Sequence, residues 1–245
     1  MNNQPPKRPL LGILGGLGPM ASAYFYELIT AHTMAATDQE HIDIILSSRA
    51  STPDRTAFIT GKSTDSPLPY MVEDATRLEV YGADVIVIPC NTAHYFVEEV
   101  RANVEVPVPS IIEETSEHIK RAGYKKAGIM ATAGTVKSGS YQQQLEKRGL
   151  LWEVPDEEHQ KYLHELIYDD VKSGRDPDIE KFYKVVRHLT DKGCDTIILG
   201  CTELSLITRA VGNDPVFTDS LEVLAYVAIK ACGSTPYGFS KDFIQ

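Results

Sequence analysis

Two cysteines stand out by their type and placement. Cys90 follows the apolar run Val85–Ile88 and Pro89, and Cys201 follows Thr196–Leu199 and Gly200. A thiol with an unperturbed pKa near ~8.5 can serve as both acid and base near neutrality. Two of them on opposite faces of one carbon would suffice to invert a stereocentre: one takes the proton, the other returns one from behind. Each is followed by residues that read as the opening of a helix, Asn91-Thr92-Ala93-His94 and Thr202-Glu203-Leu204. The expectation is that the exposed amides there hold each sulfur as a thiolate, bind a carboxylate and stabilise charge developing at Cα. A lone cysteine at a strand end is more often a small buried hydrophobe. The case rests on there being two in matching places.

The match follows from the elements that position them. Tyr81-Gly82-Ala83-Asp84 precedes the first run and Lys192-Gly193-Cys194-Asp195 the second, each glycine eight residues before its cysteine. Leu11-Gly12-Ile13 and Ala127-Gly128-Ile129 head the two halves in the same way, so the chain reads as a duplication with an offset of about 111 to 116 residues. Cys194 falls where the first half has Ala83 and Cys232 has no counterpart, so both are assigned to packing. Strands are predicted at Pro9–Leu14, Ile42–Ser47, Val85–Ile88, Ala127–Ala131 and Thr196–Leu199. Helices are predicted over Ala21–Met34, Tyr70–Tyr81, Ser140–Lys147, Glu157–Lys172, Ile179–Lys192 and Ser220–Cys232. This alternation implies an α/β fold of two pseudo-symmetric, doubly wound parallel-sheet domains, 1–110 and 111–219, with the cleft between them. Their boundary is expected in Val106–Glu114, and the helix about 220–232 is expected to return to the first domain.

Composition limits the alternatives. Among 245 residues, 24 Lys and Arg face 34 Asp and Glu, a net charge of −10 with no basic stripe, which argues against nucleic-acid and anionic-membrane partners. An anionic substrate would meet a repulsive bulk field, so a few well-placed cations carry the binding. No run approaches a membrane span and no leader pattern is seen at the N-terminus, so a cytoplasmic protein is expected. The four cysteines show no metal-ligand cadence and are expected to be free thiols, with no metal site.

These strings together, Gly15-Gly16-Leu17-Gly18-Pro19, Pro53-Asp54-Arg55-Thr56, Pro89-Cys90-Asn91-Thr92-Ala93-His94, Ala131-Thr132-Ala133-Gly134-Thr135 and Gly200-Cys201-Thr202-Glu203, resemble the aspartate/glutamate racemase family of the pyridoxal-phosphate-independent type. They span nearly the whole chain in family order. The resemblance implies two-base racemisation of an acidic amino acid by Cys90 and Cys201, no cofactor, and a homodimer. Glu203 stands where glutamate racemases typically carry histidine and the aspartate branch glutamate, so aspartate is the first expectation, with glutamate or a broader set of amino acids as the alternative. Ser47-Ser48-Arg49-Ala50 departs from the asparagine that the family often carries near the second strand's end.

A dicarboxylic amino acid needs a cation for its distal carboxylate. Arg55, on the cysteines' edge of the sheet, offers a bidentate fork, against the plain reading of a solvated loop arginine. Lys172 is similar to the family's cleft lysine, or else a C-terminal helix cation ahead of Gly174. Gly16, Leu17, Asn91, Thr92, Thr132, Thr135, Thr202 and Glu203 complete the expected substrate-binding set, with Thr132 and Thr135 equally able to be helix caps. His94 is a candidate to tune Cys90 or, more simply, a packed histidine. Two other classes compete. Gly16-Leu17-Gly18-Pro19-Met20-Ala21 fits a dinucleotide-binding turn, but the acidic residue expected at the second strand's end is absent. A non-catalytic amino-acid-binding protein would share the cleft without needing opposed thiols.

Overall fold

The computed structural model describes residues 8–212, 214–240 and 243. Strand β1 (Leu10–Gly15) runs into a glycine turn and helix α1 (Pro19–His32), with Pro19 in the first turn, where its missing N–H costs no hydrogen bond. β2 (Asp43–Ser48), helix α2 (Arg55–Thr60), helix α3 (Leu68–Tyr81) and β3 (Val85–Val87) follow. β1 pairs in parallel with both other strands, in the order β2-β1-β3. A 3₁₀ turn (Thr92–Phe96) and the short helix α4 (Val97–Arg101) lead to α5 (Ile111–Arg121). The second half contains β4 (Lys126–Ala131), α6 (Ala133–Ser138), α7 (Ser140–Lys147), β5 (Leu151–Glu153), α8 (Glu157–His164), α9 (Ile179–Asp191), β6 (Thr196–Gly200), α10 (Thr202–Val211), β7 (Phe217–Asp219) and α11 (Ser220–Ala231). Its sheet is parallel in the order β5-β4-β6-β7. The mixed α/β fold with parallel sheets is the one the alternating pattern predicted.

The duplication is visible in individual contacts. Gly12 lies under α3, where an added Cβ would stand 3.4 Å from Leu78 Cβ. Gly128 lies under α9, where the corresponding separation, from Leu189 Cβ, is 3.1 Å. The Asp84 carboxylate accepts from Leu10 N–H at 2.9 Å while Asp84 N–H donates to Leu10 C=O at 2.8 Å. Asp195 repeats both bonds with Lys126, at 3.0 and 2.9 Å. The fourth strand is where the halves part. Ile197 N–H donates to Val216 C=O at 2.8 Å and the chain continues as β7, whereas Ile86 N–H donates to Pro107 C=O at 3.0 Å and no ladder follows. Pro107 and Pro109 lack the N–H groups a strand would need there.

α11 packs against α1, β3 and α5, and α5 packs against α7 and β7. Ile111 and Ile119 of α5 and Leu224 and Ile229 of α11 join one buried cluster with Leu11, Ile13, Phe25 and Ile129. Apolar packing is thus continuous between the two sheets.

Three expectations change. The helix predicted over Glu157–Lys172 is α-helical only to His164. It then widens into a π turn (Glu165–Asp170) and tightens into 3₁₀ (Val171–Ser173) before Gly174 stops it in the left-handed region, φ 75°. The loop read at Pro53–Thr56 contains α2, which Asp54 caps by accepting from Ala57 N–H at 2.6 Å. The segment read only as a boundary already holds the start of α5, capped by Ser110.

Candidate active site

At the carboxyl ends of both sheets, one narrow cleft of about 260 Å³ is lined by Cys90 and Cys201 together. Leu17, Arg55, Asn91, Thr92, Thr132, Lys172, Thr202 and Glu203 from the predicted set line it too. So do Asp54, Thr56 and Tyr168, which sequence reasoning passed over. Asp54 and Thr56 flank Arg55 in Pro53-Asp54-Arg55-Thr56, and Tyr168 precedes Lys172 by four residues. Gly16 and Thr135 stand apart. Gly16 borders an adjoining recess; its φ is 80°, and its lack of a Cβ lets the Arg49 backbone come within 2.4 Å of where one would be. Thr135 is buried behind the cleft wall.

The two thiols occupy different surroundings. Cys201 is the N-cap of α10, but its Sγ donates to Glu203 Oε2 at 3.0 Å. Burial and the adjacent carboxylate push its pKa well above the usual thiol range. This corrects the expectation of two thiolates held by helix amides: at Cys201 the carboxylate and desolvation outweigh the dipole. After Cys90 the chain forms a 3₁₀ turn rather than the expected α-helix.

Glu203 also faces Lys172, Nζ to Oε1 at 3.8 Å. Desolvation opposes the ammonium, yet the neighbouring Glu203 carboxylate raises its pKa on balance, so Lys172, partly exposed at the cleft edge, stays charged. Its ammonium sits 4.5 Å from the Tyr168 ring centroid. The Tyr168 hydroxyl is pushed up to about 12, chiefly by burial. The π turn that begins at Glu165 carries Tyr168 to the cleft, and the 3₁₀ turn after it carries Lys172. Gly18 completes this corner: a Cβ there would lie 2.7 Å from Glu203 Oε1. That requirement gives the glycine turn a reason without a dinucleotide.

Arg55 is buried, not solvated. Its Nη2 donates to Leu17 C=O at 2.6 Å, and its Nη1 to Pro53 C=O at 3.0 Å and Thr52 C=O at 3.3 Å, while Nε is buried without a partner. Much of its fork is thus spent on shaping the loop. Thr92, Thr132 and Thr135 hydroxyls form a closed triangle of 2.9–3.2 Å, which Thr56 joins through Thr132 at 3.2 Å. Thr132 also caps α6. Asn91 donates to Ser220 Oγ at 3.0 Å and accepts from Tyr141 OH at 2.6 Å. These polar contacts tie the first half to the second around the cleft.

His94 has both ring nitrogens occupied: Nδ1 meets Cys90 C=O at 2.8 Å and Nε2 accepts from Ile111 N–H at 3.1 Å. Desolvation lowers its pKa to about 4. A neutral brace of this kind offers no positive charge to a thiolate, so the packing reading holds. Arg49 turns away to Glu73 and Asp74, each at 2.8 Å, on α3. Cys194 and Cys232 are buried outside the cleft, each with its pKa raised by desolvation, Cys232 to about 11. Among the described residues no helix is long and apolar enough to cross a membrane.

Comparison with known proteins decides the family. Residues 14–228 match the family described as Asp/Glu/Hydantoin racemase. The chain belongs to that family. It is therefore a racemase, an isomerase. The broad specificity amino-acid racemase RacX of Bacillus subtilis (strain 168) is 28% identical over 223 residues, covering 88% of this chain and 95% of that one. A glutamate racemase of Aquifex pyrophilus is 35% identical over 172 residues, 67% of this chain and 65% of its own. The solved structure of Picrophilus torridus aspartate racemase superposes with a TM-score of 0.80 at 28% identity, covering 96% of this racemase and 98% of that chain.

Proposed function

We propose that this racemase inverts the α-carbon of an acidic amino acid, aspartate first, with Cys90 and Cys201 as the opposed acid and base. The observation that carries the reading is that both sulfurs line one cleft together with a cation, Lys172, that reaches in from its edge. In one direction a Cys90 thiolate removes the α-proton, and the Cys201 thiol delivers its own proton to the opposite face of the planar carbanion. The roles exchange in reverse. Lys172 and Arg55 offset the negative charge of the substrate and of its deprotonated form. The route uses only groups of this chain, with no cofactor in any step.

A broader amino-acid range is the second reading, and one observation favours it. Past Arg55, Lys172 and Glu203 the cleft meets a larger recess lined by Pro19, Met20, Ala21, Val171 and Leu206, whose apolar walls suit longer side chains. Incubation with L-aspartate, L-glutamate and apolar amino acids in deuterium oxide tests both. Loss of optical activity with deuterium entering Cα is expected, fastest for aspartate. Absence of exchange for every amino acid would end the proposal, and a faster apolar substrate would favour the broader range. The homodimer that the family resemblance implies, in a protein read as cytoplasmic from its sequence, is part of the same proposal, and sedimentation velocity reads its oligomeric state.

A further inference from the structure

Outside the cleft, Asp156, His159 and His188 bring one ligand atom each within 4.8 Å of the others. We propose that these three side chains form a site for a borderline divalent transition-metal ion of the zinc class, clamping the start of α8 to α9. The chemistry is suited to such an ion: two imidazoles and one carboxylate are a donor set that Zn²⁺, Co²⁺ and Ni²⁺ share, leaving a fourth position to water.

The geometry is built by the fold. Asp156 is the N-cap of α8, its Oδ1 accepting from His159 N–H at 3.0 Å, so its carboxylate is anchored at the helix start. His159 lies in that first turn with Nδ1 2.7 Å from the same oxygen. His188 approaches from α9, its ring stacked on that of His159 with centroids 4.0 Å apart and planes 19° from parallel. Its Nδ1 stands 3.7 Å from Asp156 Oδ2, too far for a hydrogen bond. Metal–ligand bonds of roughly 2.0–2.2 Å in tetrahedral coordination separate ligand atoms by about 3.3 Å. In the stacked pair the in-plane lone pairs run side by side, so a shared cation requires the His188 ring to rotate out of the stack and its Nε2 to give up the hydrogen bond it accepts from Asp156 N–H at 3.4 Å, with all three ligand atoms already within 4.8 Å.

The site is remote from the thiols in role, and its occupancy would be read as stability rather than turnover. α8 leads into the π turn bearing Tyr168 and the 3₁₀ turn bearing Lys172, so the clamp would hold the root of that segment. The test is titration of chelator-treated full-length protein with Zn²⁺ by calorimetry, with Co²⁺ as a spectroscopic probe. One equivalent should bind and raise the melting temperature, with Co²⁺ giving visible d–d bands of nitrogen and oxygen ligation. His159→Gln and His188→Gln should each weaken binding at least tenfold, while metal-free melting curves of the variants check that they fold. Asp156→Asn, which keeps a capping side chain, should do the same. Absence of saturable binding, binding unchanged in both histidine variants, or intense sulfur-to-cobalt charge-transfer bands from the cysteines would each overturn the site.

Discussion

The Cys201 thiol donates to the Glu203 carboxylate at 3.0 Å, and this one bond makes the two cysteines chemically unequal at rest. Cys201 is stored as the protonated partner, its pKa raised by burial and by Glu203. The proposed reaction therefore begins with Cys201 as acid and Cys90 as base. Substrate of the opposite hand must wait for a proton to be exchanged between the two sites.

Replacing Glu203 with Gln removes the carboxylate that raises the Cys201 pKa. The Cys201 titration, followed by thiolate ultraviolet absorbance in a Cys90→Ser background, should move to lower pH. An unmoved or higher midpoint would remove Glu203 from control of this thiol.

Cys90→Ser and Cys201→Ser should each lower racemisation by about 10³-fold or more, since a hydroxyl is a poor acid and base near neutrality. Either variant is expected to retain some α-proton exchange with the one enantiomer whose remaining thiol faces the proton. Cys194→Ala and Cys232→Ala should race at nearly the parent rate, because both lie outside the cleft. Polarimetry paired with mass-spectrometric deuterium counting separates these outcomes.

Gly18→Ala places a methyl 2.7 Å from Glu203 Oε1, the mobile end of a side chain, at a backbone φ of −115° that alanine tolerates. The variant should fold with little change in melting temperature yet lose about tenfold in kcat as the carboxylate is pushed from Cys201 and Lys172. Unchanged kcat would mean that Glu203 can relocate without consequence.

His94 supplies a pH dependence of stability. Its folded pKa, about 4, lies below the ordinary 6.5, so the fold binds the neutral ring. The contribution is fully present above pH 6.5 and is lost as pH falls towards 4, on the order of 3 kcal/mol over the whole interval. Asp219, raised to about 6 by burial, acts in the opposite sense: its effect is present below 3.8 and fades as pH rises through 6. Urea midpoints at pH 7 and 4.5 should show a smaller loss on acidification in His94→Gln than in the parent protein.

The cysteine pair was legible because strand ends and duplication leave marks in local sequence: an apolar run, a glycine eight residues earlier, a polar opening afterwards. The Asp84 and Asp195 contacts repeat those marks in three dimensions. What escaped reading depends on tertiary contact. Arg55 looks like any loop cation until its guanidinium is seen among backbone carbonyls. The π turn, which carries Tyr168 to the cleft, has no signature distinct from an α-helix at Glu165–Asp170. Glu203 was expected among the substrate contacts, and only the fold turns its carboxylate onto Cys201 and Lys172.

The packing of α11 on α1 and β3 has a consequence for how the chain acquires its structure. Leu221, Leu224 and Ile229 cover apolar surface laid down by Leu11, Ile13 and Phe25 some two hundred residues earlier. During synthesis the first sheet is complete long before its covering helix leaves the ribosome, so it must persist with an open apolar flank or await a chaperone. Final docking of α11 then acts as a late, long-range closure that couples the stability of both halves into a single cooperative transition.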